Sequence, residues 1–306
     1  MAFSASKAAL EGFRIIRREP MTLAVWTVAL LVFSLAYMAL IMPMMAPAMA
    51  LAPAGGPLAR ADPAMVPQMM AVMARVYAIM VPVLLIFSAV SNAAVYRAVL
   101  RPEETGFGRL RLGGDELRLL GLYVLLGLLF VGVYLAMIIV AVIPMVIAAM
   151  VFHTQGLLAV AAASFVAILI VASVLIWIGV RLSLAGPMTF AKGRISLFKS
   201  WPLTKGRFWS LLGCYLIVFV LVLVLYVVMM CLYAGSALVD QGGSPAKAAA
   251  FMLRPNLAAY LTPARIVYVV LAAPLSTLIL AIGSAAPAAA YRAIAGEGDV
   301  AAVPTR

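Results

Sequence analysis

The chain has 306 residues, of which 67% are hydrophobic and only 10% charged, with a mean hydropathy of +1.16. A soluble domain carries about 25% charged and about 45–50% apolar residues, so this composition excludes a water-soluble globule and requires a bilayer as solvent. The net charge of +12 does not call for nucleic acid as a partner, because basic residues collect on the cytoplasmic side of membrane proteins.

In chain order, the first element is a short amphipathic segment over residues 1–20. Lys7, Glu11, Arg14 and Arg18 recur at i, i+4, i+7 and i+11 as one polar stripe, and Leu10, Phe13 and Ile16 form the apolar one. That pattern predicts a helix lying on a membrane surface. The apolar run that follows, Met21 to Met45, is longer than the roughly 7–15 residues of a signal-peptide core. It reads as an uncleaved first span. A span needs about 20 apolar residues, and the long uncharged stretches mark six helices, at about 21–45, 70–96, 118–148, 157–181, 208–233 and 264–291. A Pro/Gly-rich tail (Pro47, Pro53, Gly55, Gly56, Pro57) follows the first, and Phe152 to Gly156 turns between the third and fourth. Arg194 to Trp201 predicts a second surface helix, with Ile195 and Phe198 on one face and Lys199 opposite, stopped by Pro202. Trp201 and Trp209 suit the headgroup level. A short tail, 294–306, closes the chain.

The basic residues orient these spans. Seventeen of the 22 Lys and Arg residues fall in four segments. The first holds Lys7, Arg14, Arg17 and Arg18. The second holds Arg97, Arg101, Arg109, Arg111 and Arg118. The third holds Arg181, Lys192, Arg194, Lys199, Lys205 and Arg207, and the last Arg292 and Arg306. The opposite side has Arg60, Arg75, Lys247, Arg254 and Arg265. This imbalance predicts both termini and both basic connections in the cytoplasm.

Internal similarity groups the spans. Leu119-Leu120-Gly121-Leu122-Tyr123 opens the third span, and Leu211-Leu212-Gly213-Cys214-Tyr215 opens the fifth. Ala93-Ala94-Val95-Tyr96-Arg97-Ala98-Val99 closes the second, and Ala288-Ala289-Ala290-Tyr291-Arg292-Ala293-Ile294 closes the sixth. The fold class expected is therefore an all-α membrane protein of six transmembrane helices. They form three hairpins, each preceded by an amphipathic cytoplasmic interfacial helix, with any symmetry axis along the membrane normal.

Two cytoplasmic segments carry a family resemblance. Leu110-Arg111-Leu112-Gly113-Gly114-Asp115-Glu116-Leu117-Arg118 resembles an LRLGxxELR element. Arg181-Leu182-Ser183-Leu184-Ala185-Gly186-Pro187, continuing through Ser200-Trp201-Pro202-Leu203-Thr204-Lys205-Gly206-Arg207-Phe208-Trp209, resembles an RLSLAxP…SWxLTxGRFW element. Both are similar to the bacterial membrane domain of the glycerophosphoryl diester phosphodiesterase membrane-domain group and to the YciC-like inner-membrane family. These elements cover about a fifth of the chain. The chain departs from that pattern at Lys192-Gly193, where the resemblance implies an acidic residue before the glycine. It implies a six-helix protein of the bacterial inner membrane, not an activity. A glycerophosphodiesterase needs a soluble catalytic barrel with metal-binding carboxylates and histidines, and this sequence holds one histidine and no such segment.

Residues able to do chemistry are sparse. None of the ten acidic residues falls inside an expected span, where ion-coupled transporters bury ionisable groups. His153 stands alone in a turn, so no zinc site can be assembled. Glu103-Glu104 and Asp115-Glu116 lie among arginines and read as ion pairs rather than acid–base catalysts. Gly106-Phe107-Gly108 lacks the third glycine and the βαβ context of a nucleotide fingerprint. Ten methionines between Met38 and Met80 admit Cu(I) but serve equally as adaptable apolar filler. Cys214 and Cys231 sit on one helix roughly 25 Å apart, too far for a disulfide. No catalytic, cofactor or metal residue is assigned.

The expected contacts are with the bilayer and its anionic phospholipids, or with a protein partner of unknown kind, through Arg109, Arg111, Arg181, Lys192, Arg194, Lys199, Trp201, Lys205 and Arg207. Two functional readings stay open. One is a non-enzymatic membrane protein acting in lipid or envelope organisation or as a membrane partner. The other is a transporter or channel for a small or amphiphilic solute, using the proline-bearing second and sixth spans.

Overall fold

Hydrocarbon offers no partner to a backbone N–H or C=O, so a spanning chain satisfies those groups within a helix. The six apolar runs do so at full length. In a computed structural model, which describes residues 4–51, 63–104, 106–152, 157–252 and 262–296, the long helices are α3 (Pro20–Leu51), α4 (Val66–Leu100), α5 (Gly114–Phe152), α6 (Leu157–Leu182), α9 (Phe208–Asp240) and α11 (Pro263–Ala295). Six helices are long and apolar enough to cross a membrane, and no strand occurs among the described residues. Short helices join them: α1 (Ala5–Ala9), α2 (Glu11–Arg18), α7 (Ala185–Lys192), α8 (Ser200–Thr204) and α10 (Pro245–Met252). His153, residues 53–57 of the proline- and glycine-rich tail and the tail beyond Gly296 lie outside the described residues.

The long helices touch in a closed circuit, α3 on α4, α4 on α5, α5 on α6, α6 on α9, α9 on α11 and α11 on α3, with α4 and α11 also in contact. α11 is the hub and additionally meets α1, α2 and α7. Its run of small residues (Ala281, Ala285, Ala286, Ala288, Ala290) is buried, because without bulk the neighbouring backbones approach closely. Thr27 and Thr277 link α3 to α11 by a hydrogen bond of 3.1 Å. Ser284 donates to the Asn92 side chain, joining α11 to α4. The outer flanks of the long helices stay apolar and exposed, as at Val28, Leu128, Ile168 and Val224.

Three local differences from the sequence reading have physical causes. The N-terminal segment is two helices broken at Leu10, and its polar stripe is not all on the surface. Glu11, Gly12 and Ile15 are buried, while Leu10 and Phe13 are exposed. Gly12 sets this rotation, since a Cβ there would lie 2.7 Å from Ile282 Cα. Second, Arg194 to Lys199 is not helical, and Pro202 lies inside α8 rather than after it. Proline is tolerated in a first helical turn, whose N–H groups have no partner anyway. Third, α9 runs on to Asp240, past Gly235 and Ser236, with Ser236 Oγ donating to the Tyr233 carbonyl at 2.7 Å.

Candidate functional site at the basic end of the bundle

Four basic segments converge at one end, and ion pairs sort their arginines into two populations. The inner population begins with Arg97 at the end of α4. Its side chain is 3% exposed and lies 2.6 Å from Glu116 and 3.4 Å from Glu104. It also donates to the Arg109 carbonyl. Arg101, one turn on, bonds Asp115 at 3.1 Å and the Phe190 carbonyl at 3.3 Å, with its guanidinium 4.6 Å from the Phe190 ring centre. Arg292, at the end of α11, pairs with Glu11 at 2.9 Å and donates to the Val99 carbonyl at 2.7 Å. Arg118 holds Asp115 at 2.8 Å.

Arg109 is the most fully engaged. Its Nε and Nη2 donate to the two oxygens of Glu19 at 3.2 and 2.7 Å. Nη1 donates to the Arg101 and Glu104 carbonyls, and Nη2 also to that of Pro102. All five N–H groups of a guanidinium are therefore spent inside the protein. The backbone of Arg109 has φ 56°, a left-handed conformation that costs a non-glycine residue about 1–3 kcal/mol. The five bonds hold it there. Gly108 precedes it at φ 60° and accepts from Trp26 Nε1 at 2.6 Å. Arg109, expected among the surface contacts, is thus an internal tie.

The outer population is the 192–207 segment, together with Lys7, Arg17 and Arg18 of the N-terminal segment, which are exposed and not ion-paired among the described residues. Arg194, Lys199, Lys205 and Arg207 are exposed, and none is ion-paired among the described residues. Ile195, Phe198 and Trp209 stand exposed among them, Trp209 at 80%. Lys192 is half-buried at the end of α7. Arg111 is exposed and 3.7 Å from Glu104. Arg181 lies with Trp177 and Trp201, 5.8 Å from each ring centre, and the two rings meet edge to face at 5.0 Å. The segment is held in place by α7, whose residues from Ala185 to Ala191 are all buried.

Two cavities open beside this end. One, about 370 Å³, is apolar and lies between α3, α4 and α11, with Trp26, Leu30, Phe87 and Leu280 in its walls and Arg111 at its rim. The other, also about 370 Å³, is a polar cleft between α4, α5 and α11. Ser88, Asn92, Tyr96, Tyr123 and Ser284 line it, and the Asn92 side chain is fixed there by the Ser88 carbonyl and the Ser284 hydroxyl.

No protein-family model, curated protein or solved structure matches this chain.

Sequence reasoning missed α7, although its signal was present: proline in the first turn and glycine just after the end mark a helix. Gly193 caps α7 at φ 59°. With seven of its eight residues buried, this helix has no apolar–polar period to betray it. The cleft tyrosines were also missed, because Tyr96 and Tyr123 are 27 positions apart and meet only when α4 packs on α5. Among the described residues, no three His, Cys, Asp or Glu come together as a metal site.

Proposed function

We propose that this chain is a non-enzymatic, multi-pass protein of the bacterial inner membrane, with both ends cytoplasmic, that works by holding anionic lipid at its basic end. It belongs, on this reading, to the membrane-domain group that its two basic segments resemble. The carrying observation is the division of the arginines. Arg97, Arg101, Arg109 and Arg292 are neutralised by carboxylates inside the protein, whereas Arg194, Lys199, Lys205 and Arg207 stand exposed beside apolar and indole side chains. Unpaired cations flanked by exposed aromatic residues suit an anionic headgroup layer, where each basic residue near the surface contributes about 1 kcal/mol.

The test is the lipid that stays with the protein. Extracted into native-lipid nanodiscs, the wild type should be enriched in anionic phospholipid over the bulk membrane. A variant carrying Arg194→Gln, Lys199→Gln and Lys205→Gln should lose most of that enrichment, and an unchanged lipid profile would overturn the reading. A second reading, a carrier of a small or amphiphilic solute, is favoured by one observation, the polar cleft between α4, α5 and α11. Uptake into proteoliposomes that Asn92→Ala abolishes would support it over the first.

A further inference from the structure

Three long helices end on the basic side, α4, α6 and α11, and each brings an arginine there: Arg97, Arg181 and Arg292. Each arginine reaches the segment in front of a following long helix. Arg97 meets Glu116 in the first turn of α5. Arg181 meets Thr204, just ahead of α9. Arg292 meets Glu11 in α2, ahead of α3. The three joints close a circuit around the end of the bundle. Two of them are sealed by a carboxylate, at 2.6 and 2.9 Å.

The third is not sealed. Arg181 has no carboxylate partner among the described residues. Its Nη1 lies 3.5 Å from Thr204 Oγ1, the outer limit of a hydrogen bond, and that hydroxyl is committed as a donor to the Trp201 carbonyl at 3.0 Å. The Arg181 Nε is buried without a hydrogen-bond partner, which is unfavourable for a charged group. The sequence shows why the carboxylate is missing. Matching Leu119–Tyr123 to Leu211–Tyr215 places Phe208 where the Arg97 joint has Glu116. Meanwhile Trp177 and Trp201 flank the guanidinium, and Trp177 is 43% exposed on the outer surface of α6.

We propose that the Arg181 joint is a binding site for one phosphate group, and that the phosphate is the headgroup of an anionic phospholipid. The guanidinium donates to the phosphate oxygens as it would to a carboxylate. The indoles of Trp177 and Trp201 present the apolar-and-polar character that suits the headgroup boundary. A lipid, rather than a protein carboxylate, then completes the circuit. The inference rests on the lipid-holding reading above but places a single specific molecule at a site separate from the exposed 194–205 row.

Native mass spectrometry tests this on the full chain, released from nanodiscs of phosphatidylcholine doped with phosphatidylglycerol. The wild type should keep one phosphatidylglycerol per chain. Arg181→Gln should lose it, and so should Thr204→Glu, which supplies the missing carboxylate. Arg181→Gln adds no bulk and carries the test alone if the buried Thr204 position does not accept glutamate. The triple Arg194→Gln, Lys199→Gln, Lys205→Gln variant should still keep the lipid. Equal retention by the wild type and Arg181→Gln would overturn the site. In neutral detergent, phosphatidylglycerol should raise the Tm of the wild type and not that of Arg181→Gln. A rise with inorganic phosphate and none with the lipid would overturn the lipid as source. If the triple variant leaves anionic enrichment unchanged while Arg181→Gln loses its lipid, the broader reading fails and this one stands.

Discussion

Glu19 and Arg109, ninety residues apart, form a two-pronged ion pair that fastens the loop between α4 and α5 to the junction of α2 and α3. Both carboxylate oxygens are used, and the arginine side chain is 4% exposed. The same arginine also folds the loop onto itself, because its other donors reach the carbonyls of Arg101, Pro102 and Glu104. Removing the carboxylate leaves a buried cation without its counter-charge. Glu19→Gln should cost about 1.5–3 kcal/mol, the worth of a charge-assisted hydrogen bond, read as a lower midpoint of thermal unfolding in detergent. A variant as stable as the wild type would show that the pair does not fasten the loop.

The same carboxylate sets a pH dependence. Burial pushes the Glu19 pKa up. Hydrogen bonds from Arg109 and Thr22, with the charges of Arg109 and Arg18, outweigh it and hold the group below its ordinary 4.5. A carboxyl whose folded pKa is depressed contributes stability that is complete above its unfolded pKa and lost as pH falls through the folded value. Stability should therefore be insensitive to this group from neutral pH down to roughly pH 5 and should fall below it. Glu19→Gln should flatten that acid limb. The prediction fails if the wild type and the variant lose stability in parallel on acidification.

Gly12 tests how α2 is seated. A methyl at this position would meet the Ile282 backbone at 2.7 Å, and a backbone cannot swing aside as a side-chain end can. Gly12→Ala should lift α2 from α11, strain the Glu11–Arg292 pair and destabilise by about 1–3 kcal/mol, the usual range for overpacking. Gly213→Ala, where a Cβ meets nothing within 4 Å, is the matched control and should be close to neutral. Comparable losses in both would remove the argument from close approach.

Sidedness is open to a direct measurement. A compartment-specific reporter fused after Pro57 should read outside, and one fused after Gly193 should read inside. The reverse pattern would invert the orientation drawn from the arginine and lysine distribution.

How far the sequence was legible varied by element. α5 and α9 were plain, because an uncharged run of sufficient length admits one solution in hydrocarbon. α7 was not, since a helix buried from Ala185 to Ala191 shows no period. In the candidate site, the exposed cations Arg194, Lys199, Lys205 and Arg207 were named from the sequence. Arg109 was named with them and turned out internal. Nothing local distinguishes the two cases: Arg109 and Arg111 are two positions apart, and only Arg109 is placed to meet Glu19.

The sequence alone therefore determined the solvent, the six apolar helices and the grouping of basic residues into four segments, because hydropathy and charge are properties of consecutive residues. Only the tertiary structure decided which arginines are spent. Glu11 and Arg292 are 281 positions apart, and Arg97 reaches Glu116 only because α4 packs against α5. A guanidinium is neutralised by what stands within a few ångströms of it. That distance is a consequence of how helices pack, and no spacing along the chain encodes it.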